Sequence, residues 1–432
     1  MLEPRWVREN ADAVREAARR KRFDPQLVDD FLERDREHRG VLTESEALRA
    51  ELREASKRLG AMTPAEREGE LGRQKEQKAH LKHLESLEGT LREAVRGLAL
   101  RLPMPPAPEV PDGASDAENV EIRRSAEPKQ FSFTPLDHVE LGEQHGILDI
   151  PRGVNLAGSR NYLLLGDGAR LERAVLQFAL DHMAARGFTQ VAVPTLVKNS
   201  CMEGTGYFPG GEEQAYLVER DGLALIGTSE VPLTAMHAGE TFEESALPVR
   251  RVAVSPCYRR EAGTYGKDPQ GLYRVHQFWK VEQVVIGPAD EAWSRAEHER
   301  MLGHASDLMD LLELPYRVVN VCGGDLGQGQ VQKFDIETWM PSRGHWGETH
   351  SASRFHDFQS RRLDLRYRPA GGAKPLHCHT LNNTVVASPR VLICLLENHQ
   401  QADGSIVIPA PLRPYLGGME VMRRSEDPGA AG

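Results

Sequence analysis

The chain has 432 residues, 40% of them hydrophobic, and a formal net charge of −10. This length allows two or three domains with a large core in at least one of them, and the acidic balance argues against a general basic coat for nucleic acid. No apolar run reaches the ~18 residues of a membrane span. The N-terminus has no apolar signal core and carries acidic residues, which count against a transit peptide, so we expect a cytoplasmic protein without membrane association.

The cysteines stand at positions 201, 257, 322, 378 and 394 and form no CxxC pair. Neither a zinc ribbon nor a disulfide framework is therefore indicated. His377-Cys378-His379 could suggest a metal site, but successive strand residues face opposite ways. A distant third ligand would be needed, so the pattern does not favour a metal there.

Residues 27–59 and 81–102 carry apolar positions at alternating spacings of three and four, which predicts two long amphipathic helices. The stretch GAMTPAEREGELG between them predicts a reversal, so we expect an antiparallel helical hairpin without a third layer over residues 1–102. Such hairpins commonly serve in dimerisation. Alternatively, exposed cations could hold phosphates of a large partner; they are Arg49, Arg53, Lys57 and Arg58. The proline-rich stretch after the hairpin predicts a linker over 103–117.

Residues 118–432 read as an α+β domain. The spacing predicts a helix that ends at Gly187, then a short edge strand with Pro194 in it. A hairpin with the turn Asp221-Gly222 follows, and it leads to Thr228, Ser229 and Glu230. Thr228 or Ser229 could simply cap the next helix, which leaves a structural and a functional interpretation open.

Ser255 to Glu282 predicts two strands, VAVSPCYRRE and YRVHQFWKVEQVVI, joined by the polar loop 262–271. Arg259 and Glu261 should share one face of the first strand by the period of two. His276, Phe278, Lys280 and Glu282 should share one face of the second. Solvated charges on a surface hairpin would explain this pattern, but cations, carboxylates and an aromatic ring together also suit a nucleotide and an amino-containing substrate.

Ser388-Pro389 predicts a helix start, with Ser388 as the cap. Arg390 then lies in the first turn, where a cation opposes the helix dipole. Because the following helix is apolar nearly all round, Arg390 should need an anion, which a triphosphate could supply. The chain has no GxxxxGK[ST], no GxGxxG after a strand and no HExxH, so a nucleotide would have to be held by arginines on an antiparallel sheet.

Several motifs in order resemble the bacterial-type seryl-tRNA synthetases of class II. They are Pro194 for motif 1, Gly227-Thr228-Ser229-Glu230 for the T-x-E loop, CYRREAGTYGKDPQGLYRVHQFWKVE for motif 2, and TLNNT with Ser388-Pro389-Arg390 for motif 3. The resemblance extends from the arm to Gly418.

The resemblance implies a class II antiparallel sheet flanked by helices, with an N-terminal antiparallel two-helix coiled-coil arm. It implies activation of L-serine by ATP with Mg²⁺ and transfer of the seryl group to tRNA(Ser), and it permits tRNA(Sec). The arm should then bind tRNA, the enzyme should be a homodimer joined through motif 1, and loop 262–271 should face the acceptor end of the tRNA and be mobile without it. A mature mitochondrial form is the alternative location.

The resemblance also assigns site residues. The catalytic set is Arg259, Glu261 and Arg390. ATP is expected at Arg259, Arg260, Glu261, Val275, Phe278, Glu348, Thr349, His350, Ser351 and Arg390, with adenine between Phe278 and Arg390. L-serine is expected at Thr228, Ser229, Glu230, Arg259, Glu282, Asn382 and Thr384, with Glu282 and Thr384 reading the hydroxyl. Mg²⁺ is expected at Glu348 and Ser351.

The chain departs from the pattern of many family members at two places. Ser351-Ala352-Ser353-Arg354 stands where many read S-C-S-N, and TLNNTVV stands where many read TLNGSG. Ser351 and the hydroxyl of Thr384 are kept, so the departures bear mainly on the wall of the serine pocket. The alternatives are a non-catalytic tRNA-binding paralogue, an amino acid:carrier-protein ligase and a coiled-coil scaffold.

Overall fold

The computed structural model describes residues 1–263 and 271–424. Most of the polar loop predicted at 262–271 therefore lies outside the described residues. The chain divides into two compact units, Met1–Pro105 and Pro106–Gly432. In the described part of the chain, no helix is both long and apolar enough to cross a membrane.

The first unit is helical. Its helices are α1 (Pro4–Glu9), α2 (Ala11–Arg20), α3 (Gln26–Arg58) and α4 (Pro64–Ala99). Helices α3 and α4 form the predicted antiparallel pair, and the 33 residues of α3 give it a length of about 50 Å. The ladder of buried residues includes Leu52 on α3 and Leu84 and Leu91 on α4.

Two expectations for this unit were wrong. The second long helix was expected over 81–102, but α4 begins at Pro64, where Thr63 and Glu66 form a reciprocal capping box. The reversal between α3 and α4 therefore occupies only about five residues. The expected absence of a third layer was also wrong. Val14 and Ala18 of α2 and Val28 and Phe31 of α3 are fully buried, because the short N-terminal helices pack against the beginning of α3.

The second unit is built on one large antiparallel sheet. Its helices are α5 (His138–Gln144), α6 (Ile150–Ala157), α7 (Gly166–Ala184), α8 (Asn199–Thr205), α9 (Glu230–Ala235), α10 (Glu291–Leu311), α11 (Phe358–Leu363) and α12 (Ser388–His399). Its strands are β1 (Val120–Arg124), β2 (Leu148–Asp149), β3 (Leu163–Leu164), β4 (Thr189–Gln190), β5 (Leu196–Lys198), β6 (Leu217–Val218), β7 (Leu223–Leu225), β8 (Thr241–Glu243), β9 (Val249–Tyr258), β10 (Gln277–Gly287), β11 (Tyr316–Asn320), β12 (Gln332–Met340), β13 (His345–Arg354), β14 (Arg366–Arg368), β15 (Leu376–His377), β16 (His379–Ala387), β17 (Ile406–Val407) and β18 (Val421–Met422).

The large sheet has the strand order β1-β11-β12-β13-β16-β10-β9-β4. All neighbours are antiparallel except β4, which runs parallel to β9. One face packs on helices α7, α10 and α12, where Val281 and Val285 of β10 join the main core. Because strand side chains alternate, Lys280 and Glu282 lie on the opposite face, which is the face that carries the site.

The two strands of the central hairpin are shorter than the sequence predicts. Strand β9 ends at Tyr258, because the backbone N–H of Arg260 donates to the carbonyl of Gln214 and Glu261 has a φ of 54°. A left-handed backbone cannot continue a strand. The expectation that Arg259 and Glu261 share a strand face was therefore wrong; both lie beyond the strand, at the edge of the cavity.

Two smaller expectations were also wrong. Pro194 lies between β4 and β5 and not in a strand, because the ladder with β9 covers only Thr189 and Gln190. Ser388 is the first residue of α12 and not its cap, since its Oγ donates to Glu172 Oε1 at 2.7 Å. The helix ending before Gly187 is confirmed, and Gly187 has a φ of 81° that favours glycine.

Candidate active site

A cavity of about 320 Å³ opens on the face of the large sheet that carries Lys280 and Glu282. Strands β10, β13 and β16, the first turn of α12 and the segment that follows Gly271 supply its walls. It brings together most of the residues that the sequence assigns: Glu230, Arg259, Glu261, Val275, Phe278, Glu282, Glu348, Thr349, Ser351, Asn382, Thr384 and Arg390. Residues more than 160 positions apart thus share one pocket.

Glu230 forms a buried anionic centre at the start of α9. Tyr207 Oη donates to its Oε2 at 2.8 Å, and Gln359 Nε2 donates to its Oε1 at 2.7 Å. Thr380 Oγ1 holds Gln359 in turn at 2.6 Å. Burial, together with the charge of Glu282, raises the pKa of Glu230 to about 7. A cationic ammonium would relieve this cost by supplying the opposite charge.

Glu282 lies on β10 beside Glu230's pocket and is paired within the protein. Lys280 Nζ is 2.6 Å from Glu282 Oε2, and Thr384 Oγ1 donates to the same oxygen at 3.4 Å. A bulge between Val281 and Glu282 in the pairing with β16 aligns Glu282 with Thr384. Lys280 thus pairs with one of two neighbouring buried carboxylates, and the Thr384 hydroxyl bonds to the same carboxylate.

Arg259 and Phe278 form the next part of the wall. The Arg259 guanidinium lies 5.3 Å from the centre of the Phe278 ring, and its Nε donates to the carbonyl of Gly227 at 3.4 Å. The Arg259 side chain is exposed, so its charge can meet an anion in the cavity. Glu261 instead holds Arg274, at 2.7 Å, and so places a second guanidinium in the same wall.

Arg390 has its anion inside the protein. Its Nη1 donates to the carbonyl of Glu348 at 2.7 Å and lies 3.2 Å from Glu348 Oε2. Its guanidinium stacks on Tyr273 at 4.5 Å, and its Nε donates to the Tyr273 carbonyl at 3.2 Å. Arg390 was expected to need an anion, and Glu348 supplies one. The contacts with Glu348 and Tyr273 leave the guanidinium of Arg390 at the wall of the cavity.

Glu348, Ser351 and Asp335 provide hard oxygen donors next to one another. Enclosure would raise the pKa of Glu348, but the positive charges of Arg390 and Lys333 hold it below its ordinary value. Asp335 faces Ser351 across the β12–β13 pair, and its buried Oδ1 has no hydrogen-bond partner. Burial raises the pKa of Asp335 to about 7. An orphaned carboxylate oxygen beside two further oxygen ligands fits a divalent cation.

Four of the assigned residues do not line the cavity. Thr228 Oγ1 accepts from Glu230 N at 3.3 Å, and Ser229 Oγ bonds to Ser255 Oγ at 2.7 Å. Arg260 is exposed outside it. His350 is buried between Thr349 Oγ1 and the Val385 carbonyl, and burial lowers its pKa to about 4. The capping interpretation was therefore wrong: Ser229 is the N-cap residue of α9, but its hydroxyl bonds to Ser255 and not to the helix. Thr228 contacts only the first N–H of α9 from the position before the cap.

Several cavity residues escaped the sequence analysis. They are Tyr207, Tyr273, Arg274, Lys280 and Lys333, together with Gln359 and Asp335 behind the wall. Lys280 was visible on the face of Phe278 and Glu282, but without a role. Tyr207 and Gln359 lie in loop and short-helix segments whose contacts depend on the fold, so no sequence pattern indicated them.

Two family models and many relatives match this chain. Residues 1–106 match the seryl-tRNA synthetase N-terminal domain, and residues 216–399 match the tRNA synthetase class II core domain (G, H, P, S and T). A serine--tRNA ligase of Deinococcus radiodurans is 47% identical over 98% of this chain and 99% of its own, and one of Thermotoga petrophila is 44% identical over 96% and 99%.

Solved structures agree as well. The seryl-tRNA synthetase of Pyrococcus horikoshii complexed with ATP superposes with a TM-score of 0.93 at 36% identity, covering 99% of this chain and 100% of that one. Giardia lamblia prolyl-tRNA synthetase, at 18% identity and a TM-score of 0.56 over 64% and 55%, shares only the fold. This chain belongs to the seryl-tRNA synthetase family of class II aminoacyl-tRNA synthetases.

Proposed function

We propose that this chain joins L-serine to ATP, forming seryl-adenylate and diphosphate, and then transfers the seryl group to tRNA(Ser). The observation that carries the proposal is the juxtaposition of the Glu230–Lys280–Glu282 centre with the Arg259 and Arg390 wall in one cavity. The first fits a small amino acid with a hydroxyl group, and the second fits a polyphosphate.

Activation needs alignment and charge stabilisation more than acid–base chemistry. The serine carboxylate is already ionised, so its oxygen bonds to the α-phosphorus while the bond to diphosphate breaks, and no proton moves. Arg259, exposed over Phe278, would neutralise charge that grows on the α-phosphate. Holding both reactants in one enclosed pocket supplies the remaining advantage through orientation.

ATP would bind along Phe278, Val275 and Arg390. Phe278 offers its ring to adenine, and the Arg390 fork, fixed by Glu348 and the Tyr273 carbonyl, offers charge to the distal phosphates. Glu348 and Ser351 would hold Mg²⁺, with Asp335 next to Ser351 as a further oxygen donor. The cation, when bound, neutralises phosphate charge.

Serine would be read by Glu230 through its ammonium group and by Glu282 and Thr384 through its hydroxyl. Lys280 Nζ lies 2.6 Å from Glu282 Oε2, and this carboxylate would accept a hydrogen bond from the serine hydroxyl. Alanine would lose that hydrogen bond, and a site built to bond a hydroxyl group strongly rejects an analogue without one. Threonine would instead need space for an extra methyl group. Asn382 borders the same side.

Further proposals concern the binding partners of the protein and its location in the cell. The α3–α4 hairpin would bind tRNA(Ser), with Arg53 and Arg58 exposed on α3. A homodimer would form through motif 1, and β4 supports this because it is the edge strand of the large sheet. A cytoplasmic location follows from the bacterial relatives. Magnesium and ATP would be required together.

Serine-dependent exchange of diphosphate into ATP tests the activation step. We expect exchange with serine and Mg²⁺, little with alanine or threonine, and none without a divalent cation. Arg259→Ala should abolish exchange while the folded state persists, because Arg259 is exposed and its loss leaves no buried group unpaired. The absence of serine-dependent exchange in the natural protein would refute the proposal.

A further inference from the structure

Glu397 is a fully buried carboxylate in the last turn of α12. A negative charge at a helix C-terminus opposes the helix dipole, and a buried carboxylate is costly unless it is fully hydrogen-bonded. Four donors satisfy it: His138 N at 3.1 Å, His138 Nδ1 at 2.8 Å, Ser342 N at 3.0 Å and Ser342 Oγ at 2.8 Å. The carboxylate thus joins the start of α5 to the turn after β12.

His138 extends this connection toward the cavity. Its Nε2 lies 3.1 Å from the backbone N of Leu272, which can only donate. Nε2 is therefore the acceptor and Nδ1 carries the proton that goes to Glu397. Gly271 has a φ of 78°, and a Cβ there would collide with His138 Nε2. The chain is thus held against His138 immediately before it enters the cavity wall.

Both ends of this connection lie next in sequence to residues that form the Tyr273 contacts. Leu272, which bonds to His138, immediately precedes Tyr273, and Ser342, which bonds to Glu397, immediately precedes Arg343. The Arg343 guanidinium lies 3.9 Å from the Tyr273 ring centre, and Arg390 lies 4.5 Å from it. The Tyr273 ring is therefore bordered by two arginines, and its carbonyl accepts from Arg390 Nε. The orientation of the Arg390 guanidinium therefore depends on the position of Tyr273.

We propose that Glu397 and His138 are positioning residues for ATP, which act through Tyr273 and Arg343 on Arg390. Neither residue lines the cavity, so neither touches substrate. Their loss shifts Leu272 and Ser342, and Arg390 then loses the backbone acceptor that fixes its orientation. Because Glu230 and Glu282 are held by other partners, the serine side keeps its geometry. This inference rests on the proposed function.

The sharpest test compares His138→Asn with His138→Gln. A glutamine carbonyl can reach the place of Nε2 and accept from Leu272 N, whereas the shorter asparagine side chain reaches only the place of Nδ1. In serine-dependent exchange we expect His138→Asn to raise KM for ATP by roughly two- to tenfold, the effect of one lost hydrogen bond. His138→Gln should stay within about twofold of the natural protein, and KM for serine should change little in both.

Glu397→Gln should resemble His138→Asn, because the amide nitrogen of glutamine would face N–H or O–H groups of His138 or Ser342 that can only donate to Glu397. The double variant with His138→Asn should be no worse than the poorer single variant, since both act along one connection. Gln400→Ala is the matched control. Gln400 ends the same helix and bonds to Leu136 through both amide atoms, so its loss should lower the melting temperature and leave KM for ATP unchanged.

Several results would overturn the inference: an unchanged KM for ATP in folded His138→Asn, equal rises in KM for ATP and serine, or glutamine as poor as asparagine at position 138. If His138→Asn does not fold, Ser342→Ala, which keeps the Ser342 N–H, should still raise KM for ATP by about twofold; no change there also refutes the inference. Calorimetric ATP affinity of each variant separates the two proposals. A natural protein without serine-dependent exchange refutes the proposed function, whereas an ATP affinity insensitive to position 138 refutes only this inference.

Discussion

Lys280 Nζ and Glu282 Oε2 lie 2.6 Å apart on one face of β10, and both side chains are nearly inaccessible. A buried pair of this kind is weak evidence for stability, because desolvation offsets most of the attraction. The Lys280–Glu282 pair instead matters for the pKa of the neighbouring Glu230. The charge of Glu282 raises the pKa of Glu230, and the positive charge of Lys280 partly offsets this effect.

Replacing Lys280 with methionine should impair serine use and also lower the stability of the fold, because it leaves a buried carboxylate without its cation. Without the ammonium group, Glu282 is buried without its cation and the pKa of Glu230 rises further. We expect kcat/KM for serine to fall by about 100-fold or more, consistent with roughly 3 kcal/mol for breaking one side of a buried pair. Steady-state exchange at varied serine measures this, with Lys129→Met, a lysine that bonds to Asn398 O, as control. Equal kcat/KM in both variants would contradict the prediction.

Serine affinity should depend on pH through Glu230. Its pKa of about 7 means that the free site is largely protonated in mild acid, and the ammonium group needs the ionised form. KM for serine should therefore rise by about tenfold from pH 7.5 to pH 6 and level off above pH 8. Tyr207→Phe removes a hydrogen bond that lowers this pKa, so the rise should move to higher pH. A flat profile, or the same profile in both proteins, would argue against Glu230 as the ammonium partner.

Arg390→Lys should be a severe change although it keeps the charge. One ammonium group cannot bond the Glu348 and Tyr273 carbonyls and still present a planar face to a phosphate. We expect exchange to fall by roughly 100-fold, with KM for ATP affected more than KM for serine. Arg413→Lys, which alters an arginine bonded to Ile408 O and Glu420, should be nearly neutral. Comparable losses in both variants would point to general destabilisation.

Arg53→Ala with Arg58→Ala should separate the two interpretations of the helical arm. If these exposed cations contact phosphates, KM for tRNA should rise, and the slope of log affinity against log salt should fall by about one per lost contact. Exchange without tRNA should be unchanged. Glu46→Gln, on the same helix, is the control for charge. If the arm serves dimerisation instead, the double variant will alter the oligomeric state in sedimentation and leave the salt slope unchanged.

His298 should make the second unit sensitive to acid. It is fully buried against Phe334 and donates to the Ala352 carbonyl, and burial lowers its pKa from 6.5 to about 4. Between pH 6.5 and pH 4, His298 is protonated in the unfolded chain but not in the folded chain. The contribution of His298 to the free energy of unfolding is therefore complete above pH 6.5 and falls toward pH 4 by about 1.4 kcal/mol per pH unit. Urea unfolding at pH 7 and pH 5 should show a smaller fall in His298→Gln. Parallel curves would exclude this contribution.

Local sequence patterns predicted the elements well because periodicity reports burial directly. The spacing over 27–59 matches α3, and the helix start predicted at Ser388-Pro389 matches the first residue of α12. Errors occurred where a side chain or backbone group is used elsewhere. Glu261 turns left-handed to meet Arg274, and Ser388 donates to Glu172 rather than capping its own helix.

The candidate site was less predictable because its residues are joined by tertiary contacts. Motif resemblance brought forward Glu230, Glu282 and Arg390, but said nothing about what holds them. Gln359 reaches Glu230 from 129 positions away, and Asp335 gains its place only by pairing with Ser351 across strands. Such partners have no spacing rule, so the supporting contacts emerge only from the fold.

Arg354 gives the departure SASR a meaning outside the serine pocket. Its side chain is completely buried, and it bonds to Glu291 Oε1 at 2.7 Å and to Glu109 Oε1 at 3.1 Å. Glu109 follows closely after the boundary at Pro105 and Pro106. A chimaera whose connecting segment lacks an acid at position 109 would remove one of the two carboxylates that pair with this buried guanidinium. A grafted arm should therefore be joined before position 109, so that Glu109 stays with Arg354.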